Sequence, residues 1–290
     1  MSSFKTFWIA TRPFTCLTAF VGTWAASLLL TTYPAWSQET VIPAMVMGLL
    51  ALSSSLYYAG RVKPDALYTP KITDVPLPQY RHILLPAATI TFLATLIIAA
   101  RYLPLEALLF IAITCGYVAL YTWQAGKNRF WFVKNIYVAM IAVSCVLMAS
   151  VYATNTAWPL TSKLLFAVFS LYFVHGSLNR IAEARGNPDL ADMPLKMNSD
   201  DPPLYVGIGG ANRITAVALF IALGILLWCV SYIDSTILRS GSMGFFIFGL
   251  LTMVLMALGY KRLSLGLPAI TLGTWVMSLH ILTIRAYGIA

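Results

Sequence analysis

Nine apolar runs, at about 14–31, 41–60, 83–100, 105–124, 135–153, 161–179, 214–233, 243–260 and 265–284, set the terms on which this chain folds. Each approaches the roughly 20 residues that carry a helix across a hydrocarbon core of about 30 Å. Backbone groups in lipid must be paired within the segment or within a closed barrel, and the ten-residue alternating segments of a barrel are absent. Composition agrees: 59% of residues are hydrophobic and 10% are charged, with mean hydropathy +0.79. A soluble domain would carry about 25% charged residues. The expected fold class is all-α, a polytopic membrane bundle of nine transmembrane helices, with Pro43, Pro104, Pro159 and Pro268 at helix starts.

Lys and Arg distribute unevenly about these spans. With the amino terminus in the cytoplasm, Lys5, Arg12, Arg61, Lys63, Lys71, Arg81, Lys127, Arg129, Lys134, Arg180, Arg185, Lys196, Arg213, Lys261 and Arg262 lie inside. Only Arg101, Lys163, Arg239 and Arg285 lie outside. The positive-inside rule then predicts a cytoplasmic amino terminus and an outer carboxyl terminus, in a bacterial inner membrane or a comparable bilayer. The net charge of +9 follows from this topology and from anionic membrane lipid, and makes no separate case for nucleic acid. No cleavable signal peptide is expected, because the first apolar run follows Arg12-Pro13 without a clear small-residue cleavage site.

Cys16, Cys115, Cys145 and Cys229 all fall within predicted spans and lack metal-ligand spacing, which is the pattern of buried, inert thiols. His175, one turn before Asn179, is the one histidine near a suspected site, and helix packing explains it more readily than catalysis. Gly207-Ile208-Gly209-Gly210 has no strand before it and is read as preceding the seventh span, so it does not make a phosphate cradle. Asp200-Asp201-Pro202-Pro203 reads as a solvated turn whose prolines break the helix that would present both acids.

The polar residues gather in two places. Tyr57–Arg81 and Asn179–Arg213 hold seven of the ten acidic residues and eight of the nineteen Lys and Arg. A single domain over 1–290 is therefore expected, with cytoplasmic loops at about 61–82 and 180–213. Helical spacing allows Tyr57, Tyr58, Arg61 and Asp65 to share one face, and Asn179, Arg180, Glu183 and Asn187 another. Helix ends of this kind would frame a polar cavity with an apolar tunnel behind it, a shape suited to an amphiphile with a charged head. A midplane transporter site would need charges mid-span, and almost none occur there.

Nine spans, Arg12-Pro13 ahead of the first, and long cytoplasmic loops after the second and sixth resemble the UbiA superfamily of intramembrane prenyltransferases over nearly the whole chain. The resemblance implies transfer of an isoprenoid from its diphosphate to an aromatic or other lipophilic acceptor, or cyclisation of the isoprenoid. It also implies a first loop motif Asn-Asp-x-x-Asp-x-x-x-Asp, followed by a Pro-containing segment, and a second, Asn-Asp-x-x-Asp-x-Glu-Gly-Asp. The acids of these motifs would hold Mg²⁺ against the diphosphate.

The chain departs from that pattern at the motifs themselves. Aligned on Asp65, with Asp74–Pro78 as the Pro-containing segment, the first motif has Tyr57, Tyr58 and Arg61 in place of Asn, Asp and Asp. In the second, Asn179 and Gly186 match and Glu183 replaces Asp conservatively, while Arg180, Arg185 and Asn187 replace Asp, Glu and Asp. Two acids among Arg61, Lys63, Arg180 and Arg185 would repel a free dication, whereas guanidinium groups pair with phosphate directly. Mg²⁺, implied by the resemblance, is thus disfavoured, and no metal or other cofactor is assigned.

The expected partner is an isoprenoid or other lipid with an anionic head group. Arg61, Lys63, Arg180, Arg185, Asn179, Tyr57, Tyr58 and Lys134 are the candidate substrate-binding residues, and Asp65 and Glu183 the candidate catalytic ones. Lys134 resembles a basic residue of the family at the start of the fifth span. Tyr57 and Tyr58 are equally suited to cation–π contact and to interfacial anchoring. Three readings stay open: a divergent transferase using arginine in place of metal, a non-catalytic isoprenoid- or lipid-binding descendant, and a UbiA-like cyclase or lyase.

Overall fold

A computed structural model describes residue 8 and residues 10–61, 80–124, 131–153, 157–186 and 202–230. Among them are seven long helices and no strand. These are α1 Pro13–Leu30, α2 Gln38–Arg61, α3 Arg81–Tyr102, α4 Leu105–Gln124, α5 Trp131–Ala149, α6 Trp158–Gly186 and α7 Pro202–Val230. A short 3₁₀ turn, Ser150–Tyr152, follows α5. The first seven apolar runs coincide with these helices, and the runs at 243–260 and 265–284 lie outside the described residues. Five described helices are long and apolar enough to cross a bilayer, with shorter apolar stretches at Trp158–Val174 and Arg213–Ile225. The chain is an integral membrane protein of helical architecture.

Two helix starts differ from the sequence expectation. Pro43 lies inside α2, because the helix already begins at Gln38. The Ser37 carbonyl accepts the Val41 N–H at 3.0 Å, and the Thr40 hydroxyl donates to the Ala35 carbonyl at 2.9 Å. These bonds start the helix ahead of Pro43, which forgoes only its one bond to the Glu39 carbonyl. Likewise α7 starts at Pro202, so Gly207-Ile208-Gly209-Gly210 is helical and does not precede the helix. Prolines at the first two helical positions sacrifice only N–H groups that no helix pairs, and their fixed φ favours the turn.

The described helices fall into two compact units. In the first, α2 packs along α1 on one side and α3 on the other. Val46, Met47 and Leu50 of α2 form a core with Ala99 and Leu103 at the end of α3, Ala107 and Ile111 of α4, and Met148. A second core joins Ala10, Leu56, Ala59, Leu84 and Ala88. Small residues bring the backbones together, as expected where lipid supplies no hydrophobic drive for helix association. A Cβ on Gly48 would sit 3.3 Å from the Phe20 Cβ, and the Ser53 hydroxyl donates to the Ala88 carbonyl across the α2–α3 contact at 2.9 Å. Ile90 and Ile97 of α3, seven residues apart on one face, are each 68% exposed. Large aliphatic side chains presented outward at mid-helix are suited to lipid rather than water.

Aromatic residues close one end of this unit. The Trp24 indole N–H donates to the Ala35 carbonyl at 2.7 Å, with the Trp36 ring 4.6 Å away. The Tyr152 hydroxyl donates to the Tyr102 carbonyl at 2.8 Å, and Tyr33 packs on Tyr152. Amphipathic rings in such a layer match a membrane–water interface.

The second unit contains the first part of α5, α6 and α7. Here α6 and α7 pack together, and Lys163 Nζ near the start of α6 lies 5.1 Å from the Trp228 ring near the end of α7. The two helices therefore run antiparallel. Asn179, about 24 Å further along α6 at 1.5 Å per residue, falls at the opposite end of the pair, toward the connection to α7.

Candidate functional site

The last turn of α2 carries the first polar stretch. Ala59 and Gly60 are buried against α3, where a Cβ on Gly60 would meet Leu85 Cδ2 at 2.8 Å. This close approach fixes the turn that presents Tyr57, Tyr58 and Arg61. Tyr57 packs against the core of Ala10, Leu56, Ala59, Leu84 and Ala88. One turn on, the Arg61 guanidinium carbon lies 5.7 Å from its ring centroid. Tyr58 turns the other way, 5.5 Å from Tyr121 near the end of α4. Over Tyr58 sits a second guanidinium, that of Arg12, at 4.9 Å. The shared face expected of the two tyrosines is thus divided, each ring serving a different arginine.

Arg12 holds its position in an unusual backbone conformation. At φ 46° and ψ 58° it is left-handed, and no other non-glycine residue described has positive φ. It also precedes Pro13, which disfavours helical dihedrals in the residue before it. Strain of this kind costs about 1–3 kcal/mol and persists only where the surroundings dictate it. The surroundings here do so: Trp8 packs edge-on against Phe14, the Cys16 thiol donates to the Thr11 carbonyl at 3.2 Å, and the Arg12 carbonyl accepts from the Thr15 N–H at 2.9 Å. In the sequence, Arg12-Pro13 marks only the first span, and nothing singles out Tyr121 beyond its spacing of four residues from Tyr117 on α4.

Charge is segregated along these helices. Glu39 lies in the first turn of α2, about 33 Å before Arg61, and Glu106 in the first turn of α4, about 23 Å before Tyr121, at 1.5 Å per residue. Arg12 and Arg61, both exposed, thus stand at an end of the unit where no described residue is a carboxylate. Among the described residues no group of three or more His, Cys, Asp and Glu is placed to hold a metal ion. The three described first-motif positions offer two phenols and a guanidinium, a donor set unsuited to Mg²⁺, which takes oxygen ligands that are chiefly carboxylates, phosphates and water. Lys63 and Asp65 lie outside the described residues. So do the side chains of Lys134, Asn179, Arg180, Glu183 and Arg185, whose backbone belongs to α5 and α6.

No protein-family model matches the chain, and no curated protein matches it in sequence. Solved structures do. One is that of digeranylgeranylglyceryl phosphate synthase in membranes, matched over 99% of this chain and 100% of that one, with TM-score 0.66 and 13% identity. Another is the apo structure of a UbiA homologue from Aeropyrum pernix K1, matched over 92% of this chain and 97% of that one, with TM-score 0.66 and 17% identity. Coverage of nearly the full length of both neighbours shows that this chain shares their fold, that of a UbiA homologue.

Proposed function

We propose that the chain is a UbiA-like membrane prenyltransferase that takes an isoprenoid diphosphate and a lipophilic or aromatic acceptor, with arginine in place of much or all of the metal. The observation that carries this reading is the replacement at the end of α2. Where the family resemblance calls for acids, Tyr58 and Arg61 stand instead, and two guanidinium groups lie over the tyrosine rings of this turn. Fixed guanidinium groups pair with diphosphate oxygens and need no acid to hold them there. In transfer, the allylic C–O bond breaks, the charge builds on the departing diphosphate, and the acceptor forms the new bond and sheds a proton. Stabilising that developing charge is the arginines' contribution. Arg61 and Lys63 supply it from the first polar stretch and Arg180 and Arg185 from the second, while Asp65 and Glu183 are the groups able to take the proton. The isoprenoid tail lies among the apolar helices, with its head toward the cytoplasm.

The deciding experiment incubates purified full-length protein with labelled farnesyl and geranylgeranyl diphosphates, with and without EDTA, and follows binding and diphosphate release. Release that survives EDTA supports the transferase. Binding without release means a lipid-binding protein, and a cyclised product without acceptor means a cyclase. Strict dependence on Mg²⁺ overturns the substitution of arginine for metal.

A further inference from the structure

We infer that Arg12 is a head-group contact of this site, and that Tyr58 is the platform that holds its guanidinium in place. The inference rests on the isoprenoid diphosphate reading above and adds to it a residue from the first helix start. Three observations meet at Arg12. Its guanidinium lies 4.9 Å from the Tyr58 ring centroid, at the position where the resemblance puts a motif acid. The Tyr58 ring is itself backed by Tyr121 at 5.5 Å, so two helices brace the platform. And the Arg12 backbone is left-handed before a proline, a conformation that glycine would adopt without strain.

A cation needed only for the positive-inside bias would have no use for that conformation, because a snorkelling arginine works from any backbone. One ring beside the guanidinium carbon occupies only part of a group with five N–H donors, so donors are left over for an anion. Arg12 is exposed, so those donors are accessible. The same arrangement fixes the side chain before the ligand arrives, and preorganisation of this kind lowers the ordering cost of binding. The ligand is the diphosphate of the isoprenoid; the phosphodiester of a bilayer lipid offers the same anion chemistry and is the alternative that the test separates.

The test separates backbone from side chain. Full-length protein in nanodiscs is titrated with farnesyl diphosphate, with inorganic diphosphate and with farnesol, and the nanodiscs are made either neutral or rich in phosphatidylglycerol. Arg12→Gly keeps the left-handed turn and removes the guanidinium. It should melt no lower than the parent protein, bind farnesyl diphosphate about tenfold or more weakly, as loss of one charge-assisted contact implies, and bind farnesol unchanged. Tyr58→Phe keeps the ring face and should bind within about twofold of the parent, while Tyr58→Leu removes the platform and should weaken binding several-fold. Parent protein that binds no isoprenoid diphosphate defeats the proposed function and this inference with it. Parent protein that binds, with folded Arg12→Gly binding equally well, defeats this inference alone. It is overturned as well if Arg12→Gly loses affinity only in phosphatidylglycerol-rich nanodiscs, since Arg12 would then be serving the bilayer.

Discussion

Gly60 of α2 and Leu85 of α3 stand so close that a Cβ on Gly60 would lie 2.8 Å from Leu85 Cδ2 and 3.1 Å from Leu85 Cγ. The contact sits at the turn that presents Tyr57, Tyr58 and Arg61, so its integrity and that of the candidate site are linked. Gly60→Ala should cost about 1 kcal/mol, because the tip of the half-buried Leu85 side chain can give way, and Gly60→Leu should cost about 1–3 kcal/mol by overpacking. Gly116→Ala, mid-helix in α4 with nothing within 4 Å of its new methyl, is the unhindered control and should raise stability by about 0.5–1 kcal/mol. Thermal unfolding in detergent measures all three, and recovery in Gly60→Leu/Leu85→Ala would assign the loss to this contact.

The polar contact along the same helix pair gives a second prediction. Ser53 donates to the Ala88 carbonyl from a buried position. Hydrogen bonds between transmembrane helices contribute about 0.6 kcal/mol on average and reach about 1.7 kcal/mol. Ser53→Ala should therefore lower stability within that range and leave ligand binding unchanged. A loss several times larger would mean that Ser53 holds more than the α2–α3 contact.

Much of this fold was legible in the chain. Seven apolar runs became helices because a bilayer leaves a long apolar segment no other way to pair its backbone. What escaped was decided by neighbours. Pro43 suits a helix start by its own chemistry, yet the bonds made by the Ser37 carbonyl and the Thr40 hydroxyl put the boundary at Gln38. Helical spacing groups Tyr57 and Tyr58 on one face. Adjacent residues point about 100° apart on a helix, and Arg12 and Tyr121 reach only one of the rings. The role of Arg12 had no periodic signature at all, since it comes from a left-handed turn that is visible only in three dimensions.

Reversing charge at the site should reverse its preference among ions. Arg61→Asp restores an acid at a first-motif position and removes one guanidinium. Affinity for farnesyl diphosphate in EDTA should fall by about tenfold or more, the loss of at least one charge-assisted contact. Adding Arg180→Asp should deepen the loss, and millimolar Mg²⁺ should then restore part of it, because carboxylates and a dication can hold the diphosphate together. Isothermal titration with and without Mg²⁺ reads this out. Unchanged affinity in EDTA for both variants would show that neither side chain contacts the head group.

In the second unit, Lys163 is buried at 7% exposure, with its ammonium 5.1 Å from the Trp228 ring. A cation over an indole contributes about 0.5–1 kcal/mol at exposed sites and about 2 kcal/mol or more when desolvated. Trp228 is half exposed while Lys163 is buried, so an intermediate value is expected. A double-mutant cycle of Lys163→Met and Trp228→Leu isolates it, provided each single change adds no new contact. Lys163→Met alone keeps most of the side chain's apolar length and removes the charge, so its cost should include the loss of the cation–π contact. Trp228→Leu alone should be the more damaging change, because it removes a large ring from the α6–α7 contact together with the face beside the ammonium. A coupling below about 0.3 kcal/mol, the limit of additivity for independent sites, would show that the ring and the cation are neighbours without attraction.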